Sequence, residues 1–168
     1  MTALVLPSIT RSGEMVRVAD DGRLFVAQKW MPPETSLYGH VGLFVPAGST
    51  MRAVVLDMRV MASSSSSITG VIARGADREQ WAGTVNLTSA SAKVDGSSIS
   101  PVALMRFDQL SARDNGDYPT VFGVAAPNSD VCDFLEPIII YPGQGIWVNL
   151  SLANTPFGLS VLWREEKA

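Results

Sequence analysis

Two consecutive segments near the C-terminus alternate apolar and polar residues with a period of two. Across residues 144–153, Ile146, Val148, Leu150 and Leu152 share one side, and Trp147, Asn149 and Ser151 share the other. Across residues 157–165, Phe157, Leu159, Val161 and Trp163 share one side, opposite Gly158, Ser160 and Arg164. Successive side chains of an extended chain point to opposite faces, so this spacing predicts strands with one buried face. Residues 52–61 repeat the pattern, with Val54, Leu56, Met58 and Val60 expected inward and Asp57 and Arg59 outward.

Turn residues separate these runs. Asp21-Gly22 lies between residues 15–19 and 23–30, and Asp-Gly supplies the positive φ angles of a tight hairpin. Pro142-Gly143 precedes the segment at 144–153, with Pro suited to the second turn position and Gly to the third. Asn154-Thr155-Pro156, Pro46-Ala47-Gly48, Asp95-Gly96 and Asn115-Gly116 mark further turns. The spacing predicts roughly eight to ten strands in an all-β sandwich or barrel. Helix is expected only as one or two turns over residues 107–113. The five serines at 63–67 read as a surface loop. Residues 1–13, which include Pro7, read as an N-terminal arm that orders on a partner, and residues 14–168 as one domain. A chain of 168 residues is long enough to bury a core without staples.

The composition narrows the chemistry. Net charge is −3, and no Lys/Arg cluster is present to displace counterions, so nucleic-acid binding is not expected. Charged residues make up 17%, below the roughly 25% usual for soluble domains, which suits a surface partly buried against partners. No Lys or Arg occurs between Asp114 and Trp163, whereas Asp114, Asp117, Asp130, Asp133 and Glu136 do. These are either loosely solvated loop carboxylates or a face that attracts a basic partner.

Cys132 is the single cysteine, so neither an intrachain disulfide nor a thiolate metal cluster is expected, and its own place reads as core. His40 is the single histidine, which rules out a site needing several imidazoles, and it reads as a surface or edge residue of a strand. No phosphate-cradling glycine loop or nucleophile elbow is present. Asp114-Asn115-Gly116-Asp117 supplies only a fragment of a calcium loop and reads as a hydrogen-bonded turn. The N-terminal residues lack the basic and long apolar regions of a signal peptide, and no apolar run reaches the roughly 20 residues of a membrane span. The triplets at Asn86 and Asn149 are therefore discounted as glycosylation sites. The expectation is a soluble protein made in a cytosol, not an enzyme, with no cofactor, metal or membrane partner.

The run Tyr141-Pro142-Gly143-Gln144-Gly145-Ile146-Trp147-Val148, continuing through Asn154-Thr155 to Leu162-Trp163-Arg164-Glu165, resembles a known hairpin. It is similar to the C-terminal hairpin of small jelly-roll structural proteins of tailed bacteriophages. Val45-Pro46-Ala47-Gly48-Ser49, followed by residues 52–61, the serine loop and residues 68–74, resembles an earlier strand–loop–strand unit of such proteins. The resemblance implies a two-sheet antiparallel, jelly-roll-like sandwich and a virion component made in the host cytoplasm. A capsid decoration (cement) protein on the head exterior is the expected role, with a neck, tail or fibre protein as the alternative. The implied partners are the major capsid protein or other virion subunits, together with further copies of the chain. Thr2, Leu4, Leu6, Ile9, Arg11 and Trp147 are the candidate contact residues. A different class, a carbohydrate-binding module for host attachment, would require Trp147 or Trp81 to be exposed as a stacking platform.

Overall fold

The computed structural model describes residues 23–63, 68–85, 87, 99–117, 119–124, 130–132 and 137–168. The arm at 1–13, the hairpin turn at Asp21-Gly22 and the turn at Asp95-Gly96 lie outside the described residues. Among those described there are eleven strands and no helix. They are β1 (Leu24–Met31), β2 (Tyr38–Val45), β3 (Met51–Ala62), β4 (Ile68–Ala76), β5 (Gly83–Thr84) and β6 (Leu104–Leu110). β7 (Thr120–Val124), β8 (Asp130–Cys132), β9 (Ile138–Ile140), β10 (Gln144–Leu150) and β11 (Phe157–Lys167) follow.

Pairing is nested. β1 pairs with β11, β2 with β10, β3 with both β8 and β9, and β4 with β7, all antiparallel. This long hairpin is then rolled, so that β11 also pairs with β3, and β10 with β4. One sheet runs β1-β11-β3, with β8 and β9 sharing its far edge; the other runs β5-β6-β2-β10-β4-β7. That is the strand order of a jelly roll, with β5 and β6 added beyond β2. The two sheets pack face to face as an antiparallel sandwich, as expected from the sequence.

The core lies between the sheets. Phe25, Leu43, Met58, Met105, Ile146, Leu159 and Trp163 are fully buried there. Burying each such side chain contributes about 1.5–3 kcal/mol before chain entropy is counted. Phe25 and Trp163 face each other across β1 and β11 with ring centroids 5.6 Å apart. The inward register of β11 runs as expected through Phe157, Leu159, Val161 and Trp163, all 0% exposed.

Three local expectations are corrected. Residues 107–113 form no helix; β6 occupies Leu104–Leu110, because cross-strand pairing with β2 outweighs a weak local helical pattern. In β3 the inward residues are Ala53, Val55, Met58 and Val60, not Val54 and Leu56. The pairing shifts between Leu162 and Trp163, where Val55 and Asp57 are their partners, so Leu56 is an extra residue that reverses the alternation. Leu152 is 53% exposed, since β10 stops at Leu150 and Leu152 belongs to the turn before β11.

The turns behave as their residues dictate. The Gln144 amide donates to the Tyr141 carbonyl at 3.0 Å, and Gly143 takes a φ of 79°. The Ser49 amide likewise donates to the Pro46 carbonyl at 2.9 Å.

Candidate functional site

The outer faces of the two sheets are unlike. On the six-stranded sheet, Trp147 of β10 points away from the main core, yet it is 0% exposed. It packs with Phe44, Val71, Ala73 and Trp81 in a second apolar cluster. Trp147 stacks on Phe44 with centroids 5.8 Å apart and meets Trp81 edge-on at 5.9 Å. Trp147 is therefore corrected as a contact candidate, because the chain's own residues already cover its indole. Trp81, at 5% exposure, is covered in the same way, and with it the sequence basis for a sugar-stacking platform falls. Thr2, Leu4, Leu6, Ile9 and Arg11, the other contact candidates, lie outside the described residues.

Residues 113–117 form a strap across this outer face, and Asp114 is its anchor. Its amide donates to His40 Nε2 at 2.9 Å. Its carbonyl accepts from Trp147 Nε1 and from Asn149 Nδ2, both at 2.8 Å. Its carboxylate accepts from Arg78 Nε at 2.7 Å and from the Gly116 amide at 3.1 Å. The Arg78 guanidinium also lies 4.3 Å from the Trp147 ring centre. Beyond the anchor, Gly116 turns with a φ of 60°, and the Asp117 amide donates to the Arg74 carbonyl at 2.8 Å. The turn expected at Asn115-Gly116 is thus part of this strap.

His40 is neither a surface nor an edge residue, which corrects the sequence expectation: it is 0% exposed in β2, between β6 and β10. Its Nδ1 lies 2.9 Å from the Tyr38 carbonyl, which only accepts, while Nε2 faces the Asp114 amide, which only donates. The ring must therefore be neutral with its proton on Nδ1. Burial lowers its pKa, against the hydrogen bond that Nδ1 donates to the Tyr38 carbonyl and the charges of Asp114 and Asp108. At Asp114, burial acts to raise the carboxyl. The hydrogen bonds from Arg78 and Gly116 and the charge of Arg78 outweigh it and hold the group below its ordinary value. Asp114 thus faces Arg78 within the chain and does not add to a free acidic face. Asp77 goes the other way: burial raises its carboxyl, and Arg106, 3.2 Å away, only partly offsets this.

A cleft of about 580 Å³ adjoins the strap, lined by Arg74, Asp117, Ile138, Ile140, Gln144 and Ile146 among others. Among the described residues, its lining holds no histidine, cysteine or serine. Among the described residues, no group of three or more His, Cys, Asp or Glu side chains is placed to hold a metal ion. No helix among them is long and apolar enough to cross a membrane.

The outer face of the five-stranded sheet carries large exposed side chains. Trp30 is 45% exposed, Ile139 43% and Tyr141 46%. Trp30 lies across Gly158 of β11, beside Met61 of β3. Ile139 pairs with Val54 at the opposite end of the sheet, and Tyr141 sits under the Arg52 guanidinium. Trp30 was legible as outward, since Phe25 and Ala27 alternate with Gln28 and Trp30, but nothing in the sequence said that its indole stands half exposed. Neither a protein-family model, nor a curated protein, nor a solved structure matches the chain.

Proposed function

We propose that this chain is a structural protein of a tailed-phage virion, a decoration (cement) subunit that binds the outside of the head and stabilises it. The observation that carries the reading is the contrast between the two outer faces. One is covered by the strap and the Trp81 segment around Trp147, with Val121 exposed only on its edge strand β7; the other leaves Trp30, Ile139 and Tyr141 exposed. Large exposed aromatic and aliphatic side chains on a sheet face mark a contact surface, and Trp and Tyr are enriched at interface cores.

The spacing of these groups suits bridging. Trp30 lies beside Gly158, and Ile139 reaches Arg164 through Val54, so the two spots sit six residues apart along β11. That is roughly 20 Å of strand. A subunit with two separate apolar spots can engage two neighbouring capsid subunits, and many weak bridges act together through avidity. The jelly-roll strand order and the resemblance of residues 141–165 to phage structural proteins support the same reading.

The test is add-back to heads assembled without the chain, followed by co-sedimentation. The wild-type chain should co-sediment at saturable stoichiometry, and Trp30→Ala should weaken binding by at least about tenfold, as expected for an interface tryptophan. Binding by neither chain, or equally by both, would reject this face as the capsid contact. Attachment to tails or necks in place of heads would move the protein to those parts of the particle.

A further inference from the structure

Every polar group of Asp114 is engaged, and one of its partners can change charge near neutral pH. The Asp114 amide rests on the lone pair of His40 Nε2, and that lone pair exists only while the ring is neutral. A proton arriving from solvent at Nε2 would convert the acceptor into a donor facing another donor. The Nδ1 proton offers no escape, because Nδ1 is committed to the Tyr38 carbonyl. We propose that residues 113–117 are an acid-released strap: protonation of His40 expels the Asp114 amide, lifts the strap and uncovers Trp147.

The groups facing the imidazole set how strongly this works. Asp108 of β6 lies directly across from His40 in register, and Asp114 and Arg113 come from the strap itself. From β10 the neighbour is Asn149, which is uncharged, and from the segment after β4 it is the Trp81 ring, 5.6 Å away. The two carboxylates favour the imidazolium, whereas Arg113 and burial oppose it, burial most of all. Closing the strap therefore requires neutral His40, while the open state lets the ring titrate in water. Once open, the strap frees the Trp147 Nε1 proton from the Asp114 carbonyl and exposes the edge of the Phe44–Trp81–Trp147 cluster.

Hydrogen exchange on the full chain at pH 7.5 and pH 5.0, corrected for intrinsic rates, tests this. With a closed state that stays neutral and an open-state pKa near 6.5, the opening equilibrium should rise up to about 30-fold between those pH values. The amides of residues 113–117 should exchange faster than those of β11 at both pH values, because the strap lifts without unfolding the sheets. In His40→Gln, whose side-chain oxygen can still accept from Asp114, the strap should show no such rise. Unchanged strap protection in the wild type overturns the proposal, and so does strap exchange no faster than that of β11, which would mean opening only by global unfolding. Should the variant fail to fold, the single histidine gives an unambiguous nitrogen NMR signal in the wild type. The Nδ1-protonated tautomer at pH 7.5, lost together with strap protection on acidification, supports the switch. An imidazole that titrates while the strap stays protected overturns it.

Discussion

Glu165 continues the inward register of Phe157, Leu159, Val161 and Trp163, and it is only 5% exposed. It is tolerated there because Oε1 accepts from the Val102 and Ala103 amides, both at 2.8 Å, and lies 3.4 Å from Trp163 Nε1. The carboxylate thus fastens the segment before β6 to the last strand. Glu165→Ala would leave the buried Ala103 amide without an acceptor, at about 1–3 kcal/mol, and the part-buried Val102 amide at less. Urea denaturation should show that loss, with a smaller one for Glu165→Gln, which keeps an acceptor oxygen. His40 belongs to the same scale. Its folded-state pKa lies below the unfolded value of 6.5, so the unfolded chain takes up the proton first. Stability is therefore full above pH 6.5 and falls as pH drops, by at most about 1.4 kcal/mol per unit, until the folded pKa is reached. Denaturation midpoints measured from pH 7.5 to 5.0 should decline in the wild type and decline less in His40→Gln.

At the scale of the elements, glycines meet aromatic rings across the ladders. Gly42 lies opposite Trp147, Gly145 opposite Phe44, Gly70 opposite Phe122, Gly83 opposite Phe107 and Gly158 opposite Trp30. A methyl group on Gly42 would fall 2.4 Å from the Ile146 carbonyl oxygen and 2.5 Å from Trp147 Cβ, atoms that cannot yield without moving the strand. Gly42→Ala should cost roughly 1–3 kcal/mol, towards the upper end for such a contact. Gly123→Ala, with no neighbour within 4 Å of the added carbon, should change stability by less than about 0.5 kcal/mol. Thermal or urea midpoints of the two variants separate the cases. The strands themselves were legible wherever alternation is unbroken, as in β10 and β11. Legibility failed where one residue resets the phase, as Leu56 does in β3, and where pairing overrides local propensity, as in β6. The strap and the role of His40 were illegible for another reason. Asp114 reaches His40 across 74 positions of chain, and no local pattern marks such a contact.

For the whole molecule, the sheet edges constrain how copies can meet. β5 has two residues, β7 has five, and the far edge of the other sheet is divided between β8 and β9. Among the described strands β1 is the long edge, and its Lys29 ammonium lies 3.7 Å from the centre of the Phe107 ring on the opposite sheet. A charge placed on an edge strand discourages another strand from adding there. Under the proposed head-decorating role, contact would run face to face through Trp30, Ile139 and Tyr141. The most direct test of that proposal is quantitative mass spectrometry of virions purified from the source of the chain. The account predicts a copy number comparable to that of the major capsid protein. A few to a dozen copies, or none, would contradict it.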